Sequence, residues 1–166
     1  MLPRLLLLSG CAALLFGAQP AKVFPYPYTQ EDLLNGLRLI TVPTDYANIV
    51  ATYIVVQTGS RNEVEPGLTG FAHLFEHLMF RGAEKYSPEK YNQTLNQIGA
   101  ASNASTSDDH TVYHTTFSKE DLDTVLAMEA DRFQHLKYAE PEFKTESLAV
   151  LGEYNKNSAS PFNKLR

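Results

Sequence analysis

The sequence predicts an α+β fold, a mostly antiparallel sheet with helices packed on one of its faces. Two observations carry this. Segments of strand type and segments of helical periodicity follow one another in the order strand, strand, helix, helix, strand, helix, helix. The 166 residues are 43% apolar and 20% charged, the composition of an ordinary domain long enough to bury a core. A net charge of −5 without any basic run argues against nucleic acid as a partner.

The first residues stand apart. Arg4 precedes an apolar stretch, residues 5–18, too short to span a bilayer as a mature helix. A basic residue, a short apolar region and a small-residue exit read as a secretory signal peptide over residues 1–21, although no clean cleavage motif precedes Lys22. The chain is therefore expected to be secreted or periplasmic. As an alternative, Leu8-Ser-Gly-Cys11 resembles a bacterial lipoprotein box and would anchor the protein through an acylated Cys11. Only four leucines separate Arg4 from Ser9, which ranks this second; an uncleaved membrane-proximal anchor ranks below both. Cys11 is the only cysteine. With the leader removed, disulfide and thiolate chemistry are excluded, so any metal site must use His and carboxylate ligands.

The domain proper is expected over residues 28–166. After a Tyr/Pro-rich lead-in, Asn35-Gly36 marks a turn. Residues 37–42 alternate and are rich in β-formers, so they read as a strand that Pro43 ends. Residues 49–56 form a near-continuous apolar run, expected as a more buried strand of the same sheet. A Gly/Pro-containing loop leads to a helix with Thr69 as its expected N-cap. Ser87-Pro88-Glu89 starts a second helix that should run to Ile98 and stop at Gly99. Residues 100–106 are small and polar and receive no element, whereas residues 111–117 are β-branched and aromatic, a strand. Ser118-x-x-Asp121 resembles a capping box, followed by Leu122, Val125, Leu126, Met128, Ala130 and Phe133 at helical spacing. Glu140-Pro-Glu142 opens the last helix, which carries Phe143, Leu148, Val150 and Leu151. The tail ends on no structural signal, so the chain is expected to be the N-terminal piece of a longer protein.

The stretch from Thr69 to Arg81 holds the chemistry. Within it, His73-x-x-Glu76-His77 places two imidazoles and a carboxylate at i, i+3 and i+4, one face of a helix. This is the H-x-x-E-H pattern of inverzincins, two zinc-binding histidines with a glutamate beside them as general base. With five His in the chain, chance supplies only ~0.01 such matches. Two histidines do not close a catalytic zinc site, which uses three protein ligands and an open position. The last helix offers Glu146 and Glu153, seven residues apart on one face. Helical acids are usually solvated, and spacing alone selects neither.

In order along the chain, further stretches match one family. Asn35-Gly-Leu-Arg38 opens the first strand, Gly59-Ser-Arg-Asn-Glu63 follows the second, and Gly70-Phe-Ala-His73 leads into the motif. Asn103-Ala-Ser-Thr-Ser-Asp-Asp-His-Thr-Val-Tyr113 is similar to the segment Asn-Ala-x-Thr-Ser-x-Asp-x-Thr-x-Tyr. From about Leu33 to Asn155 the chain resembles the pitrilysin-type metallopeptidases, the family of insulin-degrading enzyme and the mitochondrial processing peptidase. With the leader, it resembles a bacterial secreted member. The resemblance implies the N-terminal domain of such a peptidase, with His73, His77 and Glu153 binding zinc and Glu76 as general base on zinc-bound water. It implies that Glu146 orients a ligand histidine. Asn103 and Ala104 would lie on an edge strand beside the metal, where a substrate peptide pairs. It also implies that a second peptidase half, in the same chain or as a partner subunit, closes over the substrate; this piece alone would then hydrolyse peptides weakly or not at all.

The expected function is zinc-dependent endopeptidase action on peptides or unfolded polypeptides. The alternative is a non-catalytic zinc-binding partner subunit or scaffold of a two-half peptidase. Three other features carry no assignment. His110 and His114 share a strand face and stay open between a second metal pair and packing; His135 lies late in a helix, where a cation favours the dipole. Gly152 marks either a close helix approach or a last turn.

Overall fold

The computed structural model describes residues 24–159. The apolar stretch of residues 5–18, expected as a signal peptide, lies outside them, as do Cys11 and the tail beyond Ala159. The chain divides into two units after Asp45. In the first, β1 (Thr29–Asp32) and β2 (Arg38–Thr41) form an antiparallel hairpin, paired from Thr29↔Thr41 to Asp32↔Arg38. The Asn35-Gly36 turn forms as expected: Gly36 takes φ 87°, and the Leu33 amide donates to the Leu37 carbonyl at 2.8 Å. β2 therefore pairs with β1, not with the strand that follows it, which corrects the expectation of one shared sheet. β1 lies in the Tyr/Pro-rich lead-in and its polar residues, Thr-Gln-Glu-Asp, carry no strand pattern.

The second unit is built on an antiparallel sheet of β3 (Ile49–Val56), β4 (Ala101–Thr106) and β5 (Thr111–Ser118), in the order β3-β5-β4. Period-two alternation gives the sheet two unlike faces. Tyr113, Thr115 and Phe117 of β5 are buried, and they lie across from Ile54, Thr52 and Val50 of β3. The opposite face carries Ile49, Tyr53 and Val55, each more than half exposed, so β3 is less buried than its apolar run predicts. β4 is the element that composition hides: small polar residues lack β-propensity, but six residues pair in register with β5. The resemblance placed Asn103 and Ala104 on an edge strand, and β4 is such an edge.

The unit also holds four helices, α1 (Phe71–Leu78), α2 (Pro88–Gln97), α3 (Leu122–Gln134) and α4 (Glu140–Ala159), with α1 against β4 and β5 and α4 against α1. Ser87 caps α2 as expected, its Oγ accepting from the Lys90 amide at 3.3 Å. Ser118 does not form a capping box; its hydroxyl turns to Glu120, and a 3-10 turn over Lys119–Asp121 precedes α3. Leu78, Val125 and Met128 are at most 1% exposed, each a burial that stabilises by about 1.5–3 kcal/mol. Among them runs a polar thread. Tyr91 Oη donates to Glu129 Oε1 at 3.0 Å, and Arg132 Nε donates to Glu129 Oε2 at 2.7 Å. The Arg132 guanidinium lies 4.9 Å from the rings of both Phe80 and Tyr113, where cation–π attraction replaces part of its lost hydration. Burial pushes the phenols of Tyr91 and Tyr113 up to about 12. Among the described residues, no helix is long and apolar enough to cross a membrane.

α4 behaves unlike an ordinary core helix. Leu148 and Leu151 are exposed, and the one buried side chain is the carboxylate of Glu146. Gly152 is neither a last turn nor a close approach, because α4 continues to Ala159 and a Cβ there would meet nothing within 4 Å.

Candidate metal centre

α1 is short, and its placement depends on polar contacts at both ends. Its N-cap is Gly70, in the left-handed region at φ 96°, not the expected Thr69. Gly70 has no side chain with which to satisfy the first amides. Glu63 does so from a distance: its carboxylate accepts from the Gly70 and Ala72 amides, each at 2.6 Å. A negative charge at that end also suits the helix dipole. The segment carrying Glu63 is locked in turn. The Ser60 and Arg61 amides donate to the carbonyls of Ser107 and Asp108. A Cβ on Gly59 would come within 2.3 Å of the Ser107 carbonyl, so only glycine permits that approach.

α1 lies against β4 and against α4. That packing brings His73, His77 and Glu153 together, with ligand atoms within 4.8 Å of one another. Glu153 Oε2 lies 3.3 Å from His73 Nε2 and 3.9 Å from His77 Nε2. A tetrahedral zinc bound at about 2.0–2.1 Å sets its ligand atoms roughly 3.3–3.4 Å apart. The donor set thus fits zinc in chemistry, and the Glu153–His73 separation matches that spacing, while the other pairs stand wider, up to 4.8 Å. Among the described residues it is the only group of three such side chains so placed.

Behind the ligands stands Glu146, 2% exposed. Its Oε2 lies 2.8 Å from His77 Nδ1, and its Oε1 lies 2.6 Å from Arg81 Nη2. With a carboxylate on Nδ1, His77 carries its proton there and turns the Nε2 lone pair towards Glu153 and His73. Arg81 supplies the charge that permits a carboxylate to be buried.

Glu76 projects from the same face of α1 and accepts from the Thr106 hydroxyl at 2.5 Å. Glu76, His77, Phe80, Arg81, Asn103 and Glu146 line one cleft of about 230 Å³. Asn103 therefore borders the candidate centre. Its Oδ1 accepts from the Ala104 amide at 2.9 Å, so that amide is engaged by its own strand. The remaining histidines stand elsewhere: His110 lies in the β4–β5 turn, His114 stacks on Tyr53 at 5.7 Å, and His135 Nδ1 meets Asp131 at 3.2 Å. Sequence reasoning missed Glu63, Arg81 and Thr106 as supports. All three lay inside stretches already singled out, yet only the folded contacts distinguish them.

Known proteins resemble this chain over most of its length. Residues 38–166 match the family model described as insulinase (peptidase family M16). An uncharacterized zinc protease of Rickettsia bellii is 35% identical over 126 residues, covering 76% of this chain and 30% of its own length. Zinc protease PqqE of Helicobacter pylori is 32% identical over 152 residues, covering 90% of this chain and 34% of its own. A crystal structure of a protease from Helicobacter pylori superposes with a TM-score of 0.78 at 33% identity, over 84% of this chain and 34% of that one. The chain thus spans about a third of the length of these relatives. With a family match that runs from β2 to the last residue, and a related protease sharing its fold, the chain belongs to the insulinase family, peptidase family M16.

Proposed function

We propose that this chain carries the zinc-binding and base-bearing part of a metalloendopeptidase, with His73, His77 and Glu153 as ligands. The observation that carries the reading is the meeting of these three side chains from two helices, with His73 Nε2 and Glu153 Oε2 3.3 Å apart. When bound, zinc supplies Lewis acidity that polarises a scissile carbonyl and lowers the pKa of a water towards ~7. Glu76, one residue from a ligand but itself turned to Thr106, takes the proton from the attacking water and passes it to the leaving nitrogen. Glu146 holds the His77 ring and its tautomer, while Arg81 holds Glu146. The edge strand β4, bordering the same cleft, presents main-chain groups around Asn103 and Ala104 to an extended peptide that adds as a strand, the peptide displacing the Asn103 side chain from the Ala104 amide.

The leader in residues 1–21 supports export, to the periplasm or beyond. Relatives about three times as long support the further reading that efficient hydrolysis uses parts not present in these 166 residues. A non-catalytic subunit would need no base, whereas here Glu76 stands beside the ligands. The test replaces Glu76 by Gln in the full-length protein and measures zinc content and peptide hydrolysis together. Full zinc with hydrolysis abolished is the expected result; hydrolysis at the wild-type rate removes Glu76 from the role of base.

A further inference from the structure

Thr106 is the last residue of β4, on the core face opposite Thr111 of β5. Its hydroxyl donates to Glu76 Oε2 at 2.5 Å. An ionised carboxylate can only accept, so the direction of that bond is fixed. The neighbouring hydroxyl does not compete for the carboxylate. Thr111 Oγ1 lies 3.2 Å from Thr106 Oγ1 and donates to the Thr58 carbonyl at 3.0 Å. Thr111 is itself 4% exposed, so Thr106 is backed by a buried partner that ties β4 and β5 to Thr58, two residues past the end of β3. Among the described residues, no other hydrogen bond or ion pair reaches the Glu76 carboxylate.

We propose that Thr106 is a positioning residue for the general base. Its hydroxyl engages Oε2, selects one rotamer of a side chain with three free torsions, and leaves Oε1 as the oxygen that exchanges the proton. The balance is simple. One proton leaves the attacking water for Glu76 Oε1 and then bonds to the leaving nitrogen; the Thr106 O–H bond stays intact throughout. The same strand that carries Thr106 carries Asn103 at the cleft, so one rigid edge aligns both the base and the peptide it serves. This inference rests on the reading of Glu76 as base.

Three variants of the full-length protein test it, each assayed for zinc content, melting midpoint, and kcat and KM on a quenched fluorescent peptide. Thr106→Val keeps the shape and removes the hydroxyl. It should lower kcat by roughly ten- to a hundredfold, with KM, zinc content and melting midpoint near wild type. Thr106→Ser, which restores the hydroxyl, should recover most of the rate. Glu76→Gln should be inactive. Wild-type kcat in Thr106→Val beside an inactive Glu76→Gln overturns the positioning role alone. A loss in Thr106→Val that comes with lost zinc or a lowered melting midpoint, and that Ser does not recover, shows a structural threonine and also overturns it. An active Glu76→Gln removes the base and the positioning role together.

Discussion

Glu146 and His77 meet at 2.8 Å, carboxylate oxygen to Nδ1, although 69 residues separate them in the chain. This contact joins α4 to α1 at the one buried position of α4. It fixes which ring nitrogen of His77 is free, and Glu153 sits seven residues further along the same helix. The centre is thus held by a carboxylate that is not itself among the three candidate ligands.

Replacing Glu146 by Gln should therefore weaken zinc binding about 10- to 100-fold. The ring exchanges a charged acceptor for at best a neutral amide oxygen, which Arg81 also contests, and Arg81 loses its counter-charge. Competition against a chromogenic chelator, on the full-length protein, measures this directly. Unchanged affinity would show that Glu146 has no part in holding His77.

Glu129 should matter for stability and not for the metal. Its two oxygens serve Tyr91 and Arg132, and Arg132 is 2% exposed. Glu129→Ala strands a buried guanidinium, at a cost of about 3–5 kcal/mol. Denaturant unfolding reads the loss. A change below about 1 kcal/mol would mean that the four surrounding rings suffice for Arg132.

Asp131 gives the acid limb of stability a specific contributor. Burial raises its carboxyl, but the Lys85 amide and then His135 outweigh it, and the net pKa falls below 3.8. A group depressed in the folded state stabilises above its unfolded pKa, and loses that contribution as pH falls through the folded value. Stability should thus decline below pH 3.8 with an Asp131-dependent component. Asp131→Asn should flatten that part of the profile; an identical slope in both proteins would exclude Asp131 as its source.

How far the chain could be read ahead of its structure follows from the range of each interaction. His73, Glu76 and His77 are legible because three residues on one helical turn must share a face. Ser87 and Gly99 are legible as helix ends because capping is local. Glu153 is not legible by spacing, since nothing short-range tells a ligand acid from a solvated one; the family resemblance supplied it. Glu63, Thr106 and Arg81 act across folded distance, and their residue types are common on surfaces. β4 is hidden for a related reason: its residues are strand residues only because β5 lies beside them. The failed capping box at Ser118 shows the reverse case, a local signal overridden when the hydroxyl found Glu120 instead.

The three-ligand centre is tested most directly by diffraction at the zinc edge, on crystals of the full-length protein grown with zinc. The prediction is a single anomalous peak bonded to His73 Nε2, His77 Nε2 and the carboxylate of Glu153, with His77 Nδ1 still on Glu146. A peak that leaves Glu153 free, or a zinc-loaded protein with its peak elsewhere, would contradict it.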